Sequence, residues 1–123
     1  MTLVDSSGWL EHFAGKAGSA VFSRAIDDTA TLVVPTICIF EVYKWMRKER
    51  GKRDALRAVA SLRRGVVVDL DTNLALQAAS LSREHGLPMA DAVIYATARA
   101  FRAEVLTKDS HFKGLPGVRF VAG

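Results

Sequence analysis

The chain has 123 residues, half of them apolar and 24% charged, with nine glycines, three prolines and one cysteine. A domain of this length buries roughly two thirds of the surface it exposes when unfolded, so no disulfide framework is needed, and Cys38 alone could build neither that nor a thiolate zinc cage. The net charge of +4 is unevenly placed: Lys44 to Arg64 holds nine basic residues against Glu49 and Asp54, which is +7, and the remainder is −3. No apolar run approaches the ~18 residues of a membrane span and the first residues carry no export signal, so a single domain over residues 1–123, cytoplasmic and without a membrane partner, is expected.

Strand-like and helix-like periods alternate along the chain. Thr2 to Val4 is a short apolar run, the first expected strand, closed by Asp5-Ser6-Ser7-Gly8; helices are expected from Trp9 to Phe13 and from Ser19 to Asp28. Thr31 to Val34 reads as the second strand, stopped by Pro35, and Thr36 is placed to cap a long helix reaching about Arg50. Gly51 breaks it, and a second basic helix follows from about Arg53 to Arg64. Val66 to Asp69 is the third strand, Thr72 to His85 a helix ended by Gly86-Leu87-Pro88, and Met89 to Arg102 a further helix; Glu104 to Thr107 and Val118 to Val121 complete five strands. Strands separated by helices of ten or more residues need crossover connections. The fold class is therefore α/β, a five-stranded, mostly parallel sheet with helices on both faces in three layers. Ligands of such sheets bind at the carboxyl ends of the strands.

Four acidic residues matter under that rule. Asp5 follows the first strand and Asp109 the fourth, so both belong at one end of the sheet, although each alone also reads as a helix cap. Glu41 lies at the edge of the stripe formed by Cys38, Ile39, Val42, Trp45 and Met46, where it could simply pair with Lys44. Its place near the start of its helix also lets it lean back over the strand ends. Asp91 opens a helix that is apolar on nearly every side, relieved only by Asp91, Tyr95, Arg99 and Arg102. Carboxylates gathered in one cleft repel and raise one another's pKa unless a cation sits among them. Oxygen ligands favour Mg2+ or Mn2+ over zinc, and such an ion can activate water against a phosphodiester. The basic segment, with Lys44, Lys48, Arg50 and Arg53, would then hold a polyanion. His12, His85 and His111 show no ligand spacing and are expected to be surface or packing residues.

Four segments, Leu3-Val4-Asp5-Ser6-Ser7, Pro35 to Val42, Leu87-Pro88-Met89-Ala90-Asp91-Ala92 and Leu106 to Phe112, resemble in order and spacing the signature of PIN-domain ribonucleases. The length and the closing stretch from Phe112 to Val118 are most similar to the VapC toxins of toxin–antitoxin pairs. The resemblance implies a Mg2+ or Mn2+ site built from Asp5, Glu41, Asp91 and Asp109, with Ser7 and Thr107 near the metal. It also implies endonucleolytic cleavage of RNA, a homodimer, and silencing by a VapB-type antitoxin. Such an antitoxin is expected to place an Arg or Lys near Asp5, Asp91 and Asp109 and an apolar stretch beside Trp9 and Trp45. The alternatives are a PIN-like module that binds RNA or protein without catalysis, and a DNA-directed or structure-specific nuclease. A receiver domain has similar length and alternation but needs an aspartate ending its third strand near mid-chain, where this chain carries its basic helix.

Overall fold

A computed structural model describes residues 1–122 of the chain. In chain order, β1 (Thr2–Val4) leads to α1 (Ser6–Ala14) and α2 (Ala20–Asp27), β2 (Leu32–Pro35) to α3 (Thr36–Arg50) and α4 (Lys52–Leu62), and β3 (Val66–Val68) to α5 (Thr72–His85) and α6 (Met89–Ala100). Then come β4 (Glu104–Thr107) and β5 (Val118–Phe120), with a 3-10 turn at Ser110–Phe112 between them.

The strands form one sheet in the order β3-β2-β1-β4-β5, and every neighbouring pair is parallel. The chain steps outward from β1 to β2 to β3, then returns past β1 to β4. Right-handed crossovers in opposite directions place helices on both faces of the sheet. The central β1 carries Leu3 and Val4, both fully buried, and β2 is buried along its whole length. At the edge, Val66 and Val67 of β3 are exposed, on a strand only three residues long. Short edges of this kind limit unwanted pairing. Helix α6 is buried from Ala92 to Ala98, as its uniformly apolar sequence requires. Tyr95 belongs to that buried run and not to a polar surface stripe; its hydroxyl donates to Pro116 O at 2.6 Å, tying α6 to the approach to β5.

Three local features depart from the sequence expectation. Helix α1 begins at Ser6, three residues before the expected Trp9, because the Asp5 carboxylate accepts from Gly8 N at 3.0 Å and caps the earlier turn. Gly8 is needed there for close approach: a Cβ on it would stand 2.6 Å from Val4 Cγ1 and 2.7 Å from Phe22 Cδ1. At α3, Pro35 occupies the capping position and no side chain caps the helix, so Thr36 is its first residue and not its cap. Finally, Trp45 is 40% exposed and not part of the core. The buried stripe of α3 is narrower than expected: Cys38, Val42 and Met46 form it, and Trp45 lies on the flank it shares with Glu41.

Candidate metal centre

Strand order reverses between β1 and β4, and the loops leaving these two strands form the crevice where open parallel sheets bind ligands. Asp5 is the first residue past β1 and is 2% exposed. Its Oδ1 accepts from Ser7 Oγ at 2.7 Å and from Gly8 N at 3.0 Å, and its Oδ2 accepts from Thr107 Oγ1 at 2.7 Å. Thr107 ends β4, is fully buried, and its hydroxyl oxygen also accepts from Asp109 N at 2.9 Å. One hydroxyl therefore joins the two strand exits. Burial raises the pKa of Asp5, and the bonds from Thr107, Ser7 and Gly8 partly oppose that rise.

Asp91 stands in the first turn of α6 with its side chain 13% exposed, and Asp109 opens the turn at Ser110–Phe112. Both meet the same ring: His111 Nδ1 lies 2.9 Å from Asp91 Oδ2 and 3.2 Å from Asp109 Oδ1. Burial pushes the Asp91 carboxyl up to about 6, the Asp109 charge adds to the rise, and His111 opposes it. The folded chain thus holds a proton on Asp91 at pH values where the unfolded chain, near 3.8, does not. Asp91 therefore adds stability at low pH that is lost as pH rises through about 6. The metal-free protein should melt higher relative to Asp91→Asn at about pH 5 than at about pH 7, and Mn2+ affinity should fall on the same acidification, as calorimetry at the two pH values would show.

Glu41 is half-buried, and Ser6 Oγ donates to its Oε1 at 2.6 Å. The buried Cys38 locates the group electrostatically. Burial pushes its thiol strongly up, and the charges of Asp5, Glu41 and Asp91 push it further. Asp91 and Asp109 share one partner, Asp5 joins them through Thr107, and Glu41 is held by the residue next to Asp5. Among the described residues no Lys or Arg pairs with any of the four; the nearby Lys108 Nζ is turned to Glu11 Oε2 at 3.1 Å. Asp91, Asp109 and His111 offer ligand atoms all within 4.8 Å of one another, a spacing that could hold a metal ion. The oxygen-rich donor set, with two carboxyls whose burial disfavours charge without a cation, fits a divalent metal.

His111 is on the surface, as expected from the sequence, but its contact with Asp91 and Asp109 was not foreseen. The signal was its position two residues after Asp109, where the capping turn has the His111 backbone N–H donating to Asp109 Oδ1 at 2.9 Å and brings the ring to 3.2 Å from the same oxygen. Ser7 and Thr107 lie behind the cluster, bonded to Asp5. Lys44, Lys48, Arg50 and Arg53 are all exposed. Lys44 and Lys48 follow Glu41 at helical spacing, three and seven residues on, and so share its flank. Arg50 points elsewhere, its Nη1 donating to Phe13 O on α1 at 3.4 Å. Trp9 is fully buried and cannot border a groove for a partner; only Trp45 offers an exposed indole.

The family model for the PIN domain matches residues 2–118. The chain belongs to the PIN domain family. A toxin–antitoxin complex from Klebsiella pneumoniae superposes with a TM-score of 0.82 at 22% identity, covering 99% of this chain and 98% of that one. DNA-bound VapBC from Salmonella typhimurium gives 0.77 at 19% identity over 98% and 97% of the two chains. VapC20 from Mycobacterium tuberculosis, a Sarcin-Ricin loop cleaving toxin, gives 0.75 at 20% identity over 94% and 95%. At these identities the likeness concerns the fold, and it bears out the expected PIN architecture. No curated protein matches this PIN chain in sequence.

Proposed function

We propose that this PIN domain is a divalent-metal-dependent endoribonuclease and the toxin of a toxin–antitoxin pair, acting in the cytoplasm as a homodimer. The observation that carries the reading is the meeting of Asp91 and Asp109 with His111, with Asp5 joined to Asp109 through Thr107 and Glu41 held by Ser6, and no Lys or Arg paired with any of the four acids among the described residues. Family membership supports a nuclease, and the names of the structural neighbours support the toxin role and an antitoxin partner. No helix among the described residues is long and apolar enough to cross a membrane.

In this reading Asp91, Asp109, Glu41 and Asp5 hold Mg2+ or Mn2+. When bound, the ion supplies charge stabilisation on the phosphorus oxygens and a water of lowered pKa. Asp5 is fixed by its three hydrogen bonds and sets the register between the β1 and β4 exits. Ser6 fixes one oxygen of Glu41, and the other would take a proton from the attacking water. Purified protein should cut single-stranded RNA with Mn2+ and lose that activity in EDTA, leaving a DNA strand of the same sequence intact. Cleavage of the DNA alone would reverse the substrate assignment, and binding without cleavage would make the domain a module.

The exposed lysines on the Glu41 flank supply phosphate contacts. Replacing Lys44 and Lys48 together by Gln should make the slope of log affinity against log salt shallower by about 1.4, at ~0.7 per lost single-strand contact. Arg50→Gln should change it little, because Arg50 is turned toward α1. Equal effects from both variants in fluorescence-anisotropy titrations would remove the lysine track.

A further inference from the structure

We propose that His111 is a nitrogen ligand of the metal centre and tilts its preference away from Mg2+ toward Mn2+ and other transition metals. The inference rests on the metal-nuclease reading above and deepens it. His111 Nδ1 stands 2.9 Å from Asp91 Oδ2 and 3.2 Å from Asp109 Oδ1. Neighbouring ligands on an octahedral ion with bonds of 2.0–2.1 Å are about 3 Å apart. The nitrogen thus already stands from each of the two oxygens at the spacing of adjacent positions in such a shell.

The local fold aims the ring inward. Asp109 Oδ1 accepts from His111 N at 2.9 Å, which closes the turn, and the next residue, Phe112, is fully buried and anchors it. The Nδ1 edge faces the two carboxylates while the side chain as a whole stays 58% exposed. The gap between Nδ1 and Asp91 Oδ2 is of hydrogen-bond length. To hold an ion, the ring would present Nδ1 without a hydrogen, as the tautomer that carries its one hydrogen on Nε2 does. The other histidines are committed elsewhere: His12 Nδ1 is 2.7 Å from Ser23 Oγ, and His85 meets Tyr95 edge-on.

An all-oxygen site suits Mg2+, whereas imidazole suits later divalent metals. His111 therefore separates two ions that the four acids alone would treat more evenly. Its exposure also means that removing the ring leaves no hole in the core.

The test uses the full chain stripped of metal and then loaded with Mn2+. Pulsed EPR of the loaded wild type should show nitrogen hyperfine coupling from an imidazole, and His111→Gln should lose it. By calorimetry the same variant should bind Mn2+ about tenfold more weakly or worse, with Mg2+ affinity changed less than about threefold. If Mn2+ binds, Asp91→Asn weakens it, and the wild type shows no nitrogen coupling, His111 is only a hydrogen-bond partner of the acids; equal losses for both ions in His111→Gln would reduce it to that same supporting role. If Asp91→Asn leaves Mn2+ binding unchanged, the centre lies elsewhere and the underlying reading falls with this one.

Discussion

Asp91→Asn should leave the fold intact and lower metal-dependent RNA cleavage at least ~100-fold. The amide keeps the shape of the carboxyl but supplies no charge to a cation. Stability should hold or improve, because burial and the Asp109 charge already make the ionised form of Asp91 unfavourable in the folded chain. Asp5→Asn is expected to lose activity too, but with a cost in stability. Its amide nitrogen cannot accept from Thr107, whose oxygen is already engaged by Asp109 N, so a buried hydroxyl proton loses its acceptor at a cost of about 1–3 kcal/mol. Cleavage assays in Mn2+ beside thermal melts separate the two cases, and undiminished cleavage by folded Asp91→Asn protein would falsify the proposed centre.

Gly8→Ala should be the most destabilising single-methyl change on α1. The added Cβ would sit well inside contact distance of Val4 Cγ1, on central β1, and of two ring carbons of Phe22 on α2, so strand, helix and ring must shift together. Overpacking of this kind costs about 3 kcal/mol. In a chain of this length that is a fall in Tm of roughly 10 °C. The displaced backbone also carries the N–H that binds Asp5, so Mn2+ affinity should drop with stability. Gly15→Ala is the comparison. Its φ of 65° favours glycine but no atom lies within 4 Å of the added Cβ, so a loss of only about 1 kcal/mol is expected. Similar melts for the two alanine variants would show that α1 can slide without penalty.

The alternation of strands and helices was legible because buried parallel strands and long crossover helices leave different periods, and Thr72 to His85 and Glu104 to Thr107 fall where their sequences place them. Boundaries set by tertiary contacts were not. Gly8 reads as a turn residue in the sequence, yet it is helical because Asp5 caps the earlier turn, and it is glycine because Val4 and Phe22 leave no room for a side chain. Trp45 reads as core by wheel, but a helix stripe's width depends on what packs against it. The acids were singled out by their places, Asp5 and Asp109 after strands and Glu41 and Asp91 in the first half of helices. His111 was missed because its contact with Asp91 spans 20 residues, and nothing local in either segment announces the other.

Asp5 caps α1 and, as a proposed ligand of the centre, would couple metal supply to the lifetime of the chain. An ion that binds only the folded cluster stabilises it by about 2.7 kcal/mol at a hundred times its dissociation constant. Transient opening of α1 and its neighbours then becomes roughly a hundredfold rarer, and proteases that act on opened chains find correspondingly fewer of them. A cell poor in the ion would hold less of this protein as well as a less active form of it, so abundance and activity would fall together through one aspartate.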